Sequence, residues 1–142
     1  MATINLARTQ GDYGFEATDE NGHTVRMDSN PATGGLDFGV RPMQMLLMGL
    51  GGCSGIDVIG ILKKQRQEVT DFKMVIKGER ESGKEPSLWA DLALEFHIYG
   101  NIAPDKAQKA VELSVDKYCS VAATLVGAGA KLQYTVFVHP AA

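Results

Sequence analysis

One stretch, Arg41 to Gln67 (RPMQMLLMGLGGCSGIDVIGILKKQRQ), constrains this chain more than any other, and it reads as a single helix. Pro42 suits a first helical position, where its missing N–H is not needed. Lys63, Lys64 and Arg66 gather at the far end, where cations suit the helix dipole. Between Met43 and Leu62 apolar residues fall on every face instead of in one stripe, the pattern of a helix with protein on all sides. Gly49, Gly51, Gly52, Gly55 and Gly60 each cost about 1 kcal/mol relative to Ala in a helix interior, so close packing against a neighbouring backbone is expected to offset them. The uncharged run stops at Asp57, short of the ~18 apolar residues of a membrane span, and a buried helix is the better reading.

At 142 residues the chain has the size of one domain, residues 1–142, and can bury a core without disulfide or metal staples. Its net charge of −3 and the lack of any basic cluster longer than KKQR give no reason to expect nucleic acid or an anionic membrane surface as partner. The beginning, MATINLARTQ, has no charged segment followed by an apolar run, so a cytoplasmic protein is expected. Two cysteines, Cys53 and Cys119, are no disulfide framework in a reducing compartment. They serve packing, or they serve redox or nucleophilic chemistry.

The first forty residues read as strands, TINLA, YGFEAT and HTVRM, with a hairpin at Asn21-Gly22, where both residues tolerate positive φ. Ser29 to Gly39 reads as a loop. After the long helix, DFKMVIKGE alternates with Phe72, Met74 and Ile76 on one face, and Glu79 to Pro86 is charged turn material. LWADLALEFHIYG then alternates with Leu88, Leu92, Leu94, Phe96 and Ile98 inward, completing a second hairpin. PDKAQKAVELSVDKY is an amphipathic helix with Val111, Val115 and Tyr118 at i, i+4 and i+7. CSVAATLVGAG is a short second helical piece, and KLQYTVFVH closes the chain as a strand. Without regular βαβ alternation, this order predicts an α+β fold with antiparallel sheet packed on helices.

Cys119 lies at a break between helical pieces, just after Lys117. A helix N-terminus or a nearby cation lowers a thiol pKa below its ordinary value, and the thiolate is the nucleophile. A mid-helix Cys53 gains less from the dipole. Spacing alone leaves both as buried, inert cysteines. Gly51-Gly52-Cys53-Ser54-Gly55 matches the G-x-nucleophile-x-G elbow of α/β-hydrolases, but the antiparallel patterning and the short chain oppose it, and His97 and His139 read as surface strand residues. A dinucleotide loop at Gly49 to Gly55 lacks its βαβ unit. Three scattered histidines, with no Cys or acid at ligand spacing, give no metal site. Asp57, one turn after Cys53, orients a partner or caps a polar spot in the core.

PMQMLLMGLGGCSGIDVIGILKKQRQEV and VDKYCSVAATL resemble the two cysteine segments of the OsmC/Ohr superfamily (osmotically inducible and organic hydroperoxide resistance proteins). The likeness is to its less characterised bacterial branch, with a P-M-E-x-x-L-M-x-x-G-G-C-S-x-I-D-V-V-x-I-L-x-K pattern. It covers both motifs, their separation and the element order, nearly the whole chain. The resemblance implies an intertwined homodimer, with antiparallel β-sheets from both subunits wrapped around long central helices. In the superfamily's hydroperoxidase branches the residue matching Cys53 attacks a peroxide oxygen and becomes a sulfenic acid, and the residue matching Cys119 resolves it to a disulfide. External thiols or dithiols restore both, without metal or organic cofactor. Those branches place an acid just after the Pro and an Arg near the first hairpin, a pair that activates the thiolate. Here Gln44 follows Pro42-Met43, and no Arg stands between Gly11 and Gly14, leaving Arg26, Arg41 or Arg80 as substitutes.

The resulting expectation is a cytoplasmic OsmC-like homodimer with peroxidase activity toward organic hydroperoxides, in oxidative stress response. Cys53 is peroxidatic, Cys119 resolving, and Gln44 stands in the activating position. The alternative is a non-catalytic or redox-sensing OsmC-like protein that binds a small ligand, with a thiol hydrolase third.

Overall fold

The computed structural model describes residues 1–141 and has the expected α+β composition. The chain divides into two compact units, Met1–Leu46 and Leu47–Ala142.

In the first unit, β1 (Asn5–Gln10), β2 (Gly14–Thr18) and β3 (Thr24–Met27) form an antiparallel sheet in that order. The β2–β3 turn falls at Asp19 to His23, with Gly22 at φ 86° supplying the left-handed residue. Asp19 replaces a primed turn's need for positive φ at Asn21, because its carboxylate accepts the N–H groups of both Asn21 and His23 at 2.9 Å. The 28–40 loop is built on buried Asp28, whose carboxylate accepts the N–H groups of Ser29 (2.7 Å), Leu36 (2.9 Å) and Phe38 (3.2 Å). These bonds hold its pKa below the ordinary value, with the Arg41 charge adding to them. Val40 then bonds alongside β3, leading the chain into the long helix α1 (Pro42–Lys64).

In the second unit, β4 (Glu68–Arg80) and β5 (Trp89–Asn101) make the expected antiparallel hairpin. A crossover through α2 (Pro104–Leu113), a π turn (Ser114–Tyr118) and α3 (Ser120–Gly127) brings β6 (Lys131–His139) beside β5. This pairing is parallel, which only a long connection of that kind permits. Leu92, Leu94, Phe96 and Ile98 of β5 form the buried face with Leu50, Val58 and Leu62 of α1 and Val111 of α2. Leu88 departs from the pattern: it precedes the strand, which starts at Trp89, and is exposed.

Helix α1 differs from the sequence expectation in two respects. It runs 23 residues with a mean hydropathy of 1.8 over its most apolar window, so by length and composition it is apolar enough to cross a membrane. One stripe of it, Leu50, Gly51, Ser54, Gly55, Val58 and Leu62, is nevertheless packed into the core. A Cβ on Gly51 would meet Ile76 Cδ1 at 2.8 Å, and one on Gly55 would meet Phe72 and Met74 of β4, so side chains and not a backbone approach these two glycines. The second difference is that burial is confined to this stripe. A Cβ on Gly49, Gly52 or Gly60 would meet nothing within 4 Å among the described residues beyond the helix's own backbone, and Met48 and Ile56 are exposed at 52% and 74%.

Candidate active site

Cys53 occupies the middle of α1, half-buried, on the turn between buried Leu50 and Ser54. That placement removes both glycine-loop readings: the residues before and after Cys53 are helical, so there is neither a strand-to-helix elbow nor a phosphate loop. Ser54 Oγ donates back to the Leu50 carbonyl at 2.7 Å, which satisfies its hydroxyl inside the core.

Cys119 is delivered by the π turn. Its N–H bonds to the Ser114 carbonyl at 2.7 Å, an i→i+5 closure that inserts one residue relative to α-helical winding. The inserted residue breaks the predicted phase: Val111 and Val115 stay buried, while Tyr118 swings out to 52% exposure. The chain then turns extended at Cys119, which becomes the N-cap of α3, and its Sγ accepts the Ala122 N–H at 3.4 Å. This end-on position favours thiolate, as the sequence suggested, but burial outweighs it. Burial, with a hydrogen bond to Cys53 adding to it, pushes the Cys119 thiol up to about 11.

The two cysteines, 66 residues apart, come together. Cys53 Sγ, Cys119 Sγ and a carboxylate oxygen of Asp57 all lie within 4.8 Å of one another, with the cysteines unlinked. Asp57 is one helical turn beyond Cys53, and so faces the same side. The buried Ser114 hydroxyl stands 3.1 Å from Asp57 Oδ2 and 3.3 Å from the Ser54 carbonyl, so its single proton has two acceptors, both on α1. One serine thus pins the π turn to the helix that carries Cys53. Asp57 was legible at its i+4 spacing; Ser114, at i+3 from Val111, has an inward position in the helical period, but a serine there does not announce a partner 57 residues away. The sequence reading of no metal site weighed the histidines and spacing along the chain; one ligand atom each of Cys53, Asp57 and Cys119 converges instead across two elements.

Gln44 lies in the first turn of α1, where its Oε1 accepts the Arg41 N–H at 3.1 Å, the backward half of a capping box. The candidate arginines have other partners. Arg41 Nη1 donates to the Gly39 carbonyl, Arg26 lies over Phe38 and 3.4 Å from Glu16, and Arg80 donates twice to the Ser87 carbonyl. His97 and His139 pair with each other across β5 and β6, Nδ1 to Nε2 at 2.9 Å. Two grooves border the site, one of about 700 Å³ along Cys119, Ala122 and Val126, the other of about 540 Å³ along Asp57, Ile56, Ile61 and Leu113.

A mixed α+β chain that brings two free cysteines together between its longest helix and a π turn is a dithiol protein. The chain belongs to the family of OsmC-like proteins, which residues 33–135 match. It is 41% identical over 112 residues to protein YhfA of Escherichia coli K12, covering 78% of this chain and 80% of that protein. Its fold is similar to that of a protein from Aquifex aeolicus VF5 described as hypothetical, with TM-score 0.86 and 30% identity over 100% of this chain and 98% of the other. It is also similar to OsmC of Legionella pneumophila, described as an organic hydroperoxide resistance protein, at TM-score 0.68 and 15% identity over 100% and 97% of the two chains.

Proposed function

We propose that this protein is a thiol-dependent peroxidase that reduces organic hydroperoxides. The observation that carries the reading is the unlinked pair of sulfurs within 4.8 Å, one half-buried and the other buried with a raised pKa. Cys53 is the attacking residue. Its thiolate bonds to the terminal peroxide oxygen, the O–O bond breaks, and the alkoxide leaves as the alcohol by taking up the proton the thiol released on ionising, giving the Cys53 sulfenic acid. Cys119 then attacks that sulfur; water leaves and the Cys53–Cys119 disulfide forms. The sulfurs close from within 4.8 Å to about 2.05 Å. An external dithiol reduces the disulfide and is itself oxidised. Ile56, Ile61 and Leu113 beside Asp57 offer an apolar wall, which favours an alkyl hydroperoxide over hydrogen peroxide. The Legionella protein's description points the same way.

Gln44 serves as a cap in this reading and does not activate the thiol. The family match crosses the boundary between the two compact units, which supports one OsmC-like domain over residues 1–142. Two free, adjacent thiols suit a reducing, cytoplasmic setting. The protein works as a homodimer: the open apolar face of α1, with three glycines that nothing in the described residues approaches, supports burial against a second copy. The test is consumption of cumene hydroperoxide by the pure protein with a dithiol, compared with hydrogen peroxide. Faster use of the organic substrate, with one disulfide per chain, is expected; no consumption of either would favour a redox-sensing protein that uses the same cysteine pair without turnover.

A further inference from the structure

The convergence of Cys53, Asp57 and Cys119 has the composition of a soft-metal site as well as of a redox pair. We infer that the reduced protein binds one thiophilic divalent cation of the zinc and cadmium class, with Cys53 Sγ, Cys119 Sγ and an Asp57 carboxylate oxygen as ligands.

The geometry needs little change. Ligands on a tetrahedral ion with metal–sulfur bonds near 2.3 Å stand about 3.8 Å apart. The three atoms already lie within 4.8 Å of one another. Two thiolates and a carboxylate at that separation repel, and a dication converts the repulsion into attraction. The surrounding groups are those that orient metal ligands. Ser114 Oγ, buried, lies 3.1 Å from Asp57 Oδ2 and steadies the carboxylate, and the Ala122 N–H points at Cys119 Sγ from 3.4 Å. Asp57 also borders the groove of about 540 Å³, which gives the ion access and leaves room for a fourth ligand such as water.

Binding releases the two thiol protons and makes no change in oxidation state. It excludes the disulfide, because each sulfur lone pair that would form the S–S bond is given to the metal. A loaded protein is therefore protected from peroxide, and oxidation of the pair releases the ion. Metal binding uses the same residues as the peroxidase reading but does not depend on turnover.

The test is titration of fully reduced, chelator-treated protein with cadmium ion, under argon and with a phosphine reductant. A thiolate-to-cadmium charge-transfer absorption saturating at one ion per chain is expected. Ser114→Ala should weaken binding about tenfold, and Asp57→Asn more, while Cys53→Ser and Cys119→Ser lose the band. Absence of the band in the wild type, its full retention in either cysteine variant, or equal affinity in Asp57→Asn would overturn the site. X-ray absorption of the zinc-loaded wild type reads the same question without variants: two sulfurs at about 2.3 Å and at least one oxygen support it, and fewer than two sulfurs overturn it. Wild-type protein that consumes cumene hydroperoxide yet takes up no cadmium overturns the metal site alone. Protein that takes up cadmium without consuming peroxide supports it and overturns the peroxidase.

Discussion

Tyr134 of β6 donates its phenol to Asp116 across 3.0 Å, so the last strand holds the π turn that ends at Cys119. Tyr134→Phe should cost about 1 kcal/mol, the ordinary net value of one hydrogen bond, and slow closure of the Cys53–Cys119 disulfide. A denaturant midpoint and the rate of thiol loss after peroxide addition read the two effects separately. An unchanged closure rate would mean that the turn is held without this bond.

Replacing either cysteine separates their roles. Cys53→Ser should abolish peroxide consumption, and Cys119→Ser should allow one turnover and leave a sulfenic acid that a dimedone-type probe captures by mass spectrometry. Equal consumption by wild type and Cys53→Ser would remove the proposed mechanism.

Stability should fall at both ends of the pH scale for different reasons. Cys119 ionises at about 11 in the fold against a reference of 9.0, and Tyr134 at about 12 against 10.0. For both, the fold favours the protonated form, so their contribution is full below pH 9.0 and is lost as pH rises to about 12. Asp28 has the opposite sign. Its lowered pKa gives stability above 3.8 that disappears as pH falls through the folded value. Urea midpoints against pH should show both limbs, with Cys119→Ala flattening the alkaline one and Asp28→Asn the acid one.

Gln44→Glu tests the cap. A carboxylate at this position accepts the same Arg41 N–H and suits the helix dipole, so a gain of roughly 0.3–1 kcal/mol is expected. Cys53 alkylation against pH should not move. Faster peroxide turnover in Gln44→Glu would show instead that an arginine is recruited and that the position activates the thiol.

Gly52→Ala distinguishes an open helix face from a covered one by the sign of its effect. In a chain that stands alone the added methyl meets open space, and the helix should gain about 1 kcal/mol. Against a second copy the same methyl should weaken association. Sedimentation of both forms at micromolar concentration, with a dimer in the wild type and more monomer in Gly52→Ala, is the expected outcome.

The helix, both hairpins and the closing strand were legible because their apolar periods are local properties of the sequence. Phe72, Met74 and Ile76 alternate as expected, and Leu92 to Ile98 face the core. What was not legible depends on a single residue's phase or on partners distant in sequence. Tyr118 read as inward because an α-helical period carries it there, and only the π turn turns it out. The parallel pairing of β6 with β5 leaves no mark in the alternation of either strand. Cys119 looked activated by its helix end, but a sequence does not state how much solvent a thiol has lost. Cys53 and Cys119 were joined by family resemblance, and Ser114, which fastens their two elements, was not singled out.

The extra residue in the π turn means that the distance between the two motifs is written in chain length as much as in side chains. Each residue of an α-helix advances its successor by about 100°, so the same residues from Ser114 to Cys119 wound as a regular helix, with none removed, would carry Cys119 about that angle past its present direction. A chain with both cysteines, Asp57 and every buried contact residue intact would then have lost the pairing. The number of residues across this turn taken together with its winding, and not the presence of the two cysteines alone, is thus the sign of a preserved dithiol.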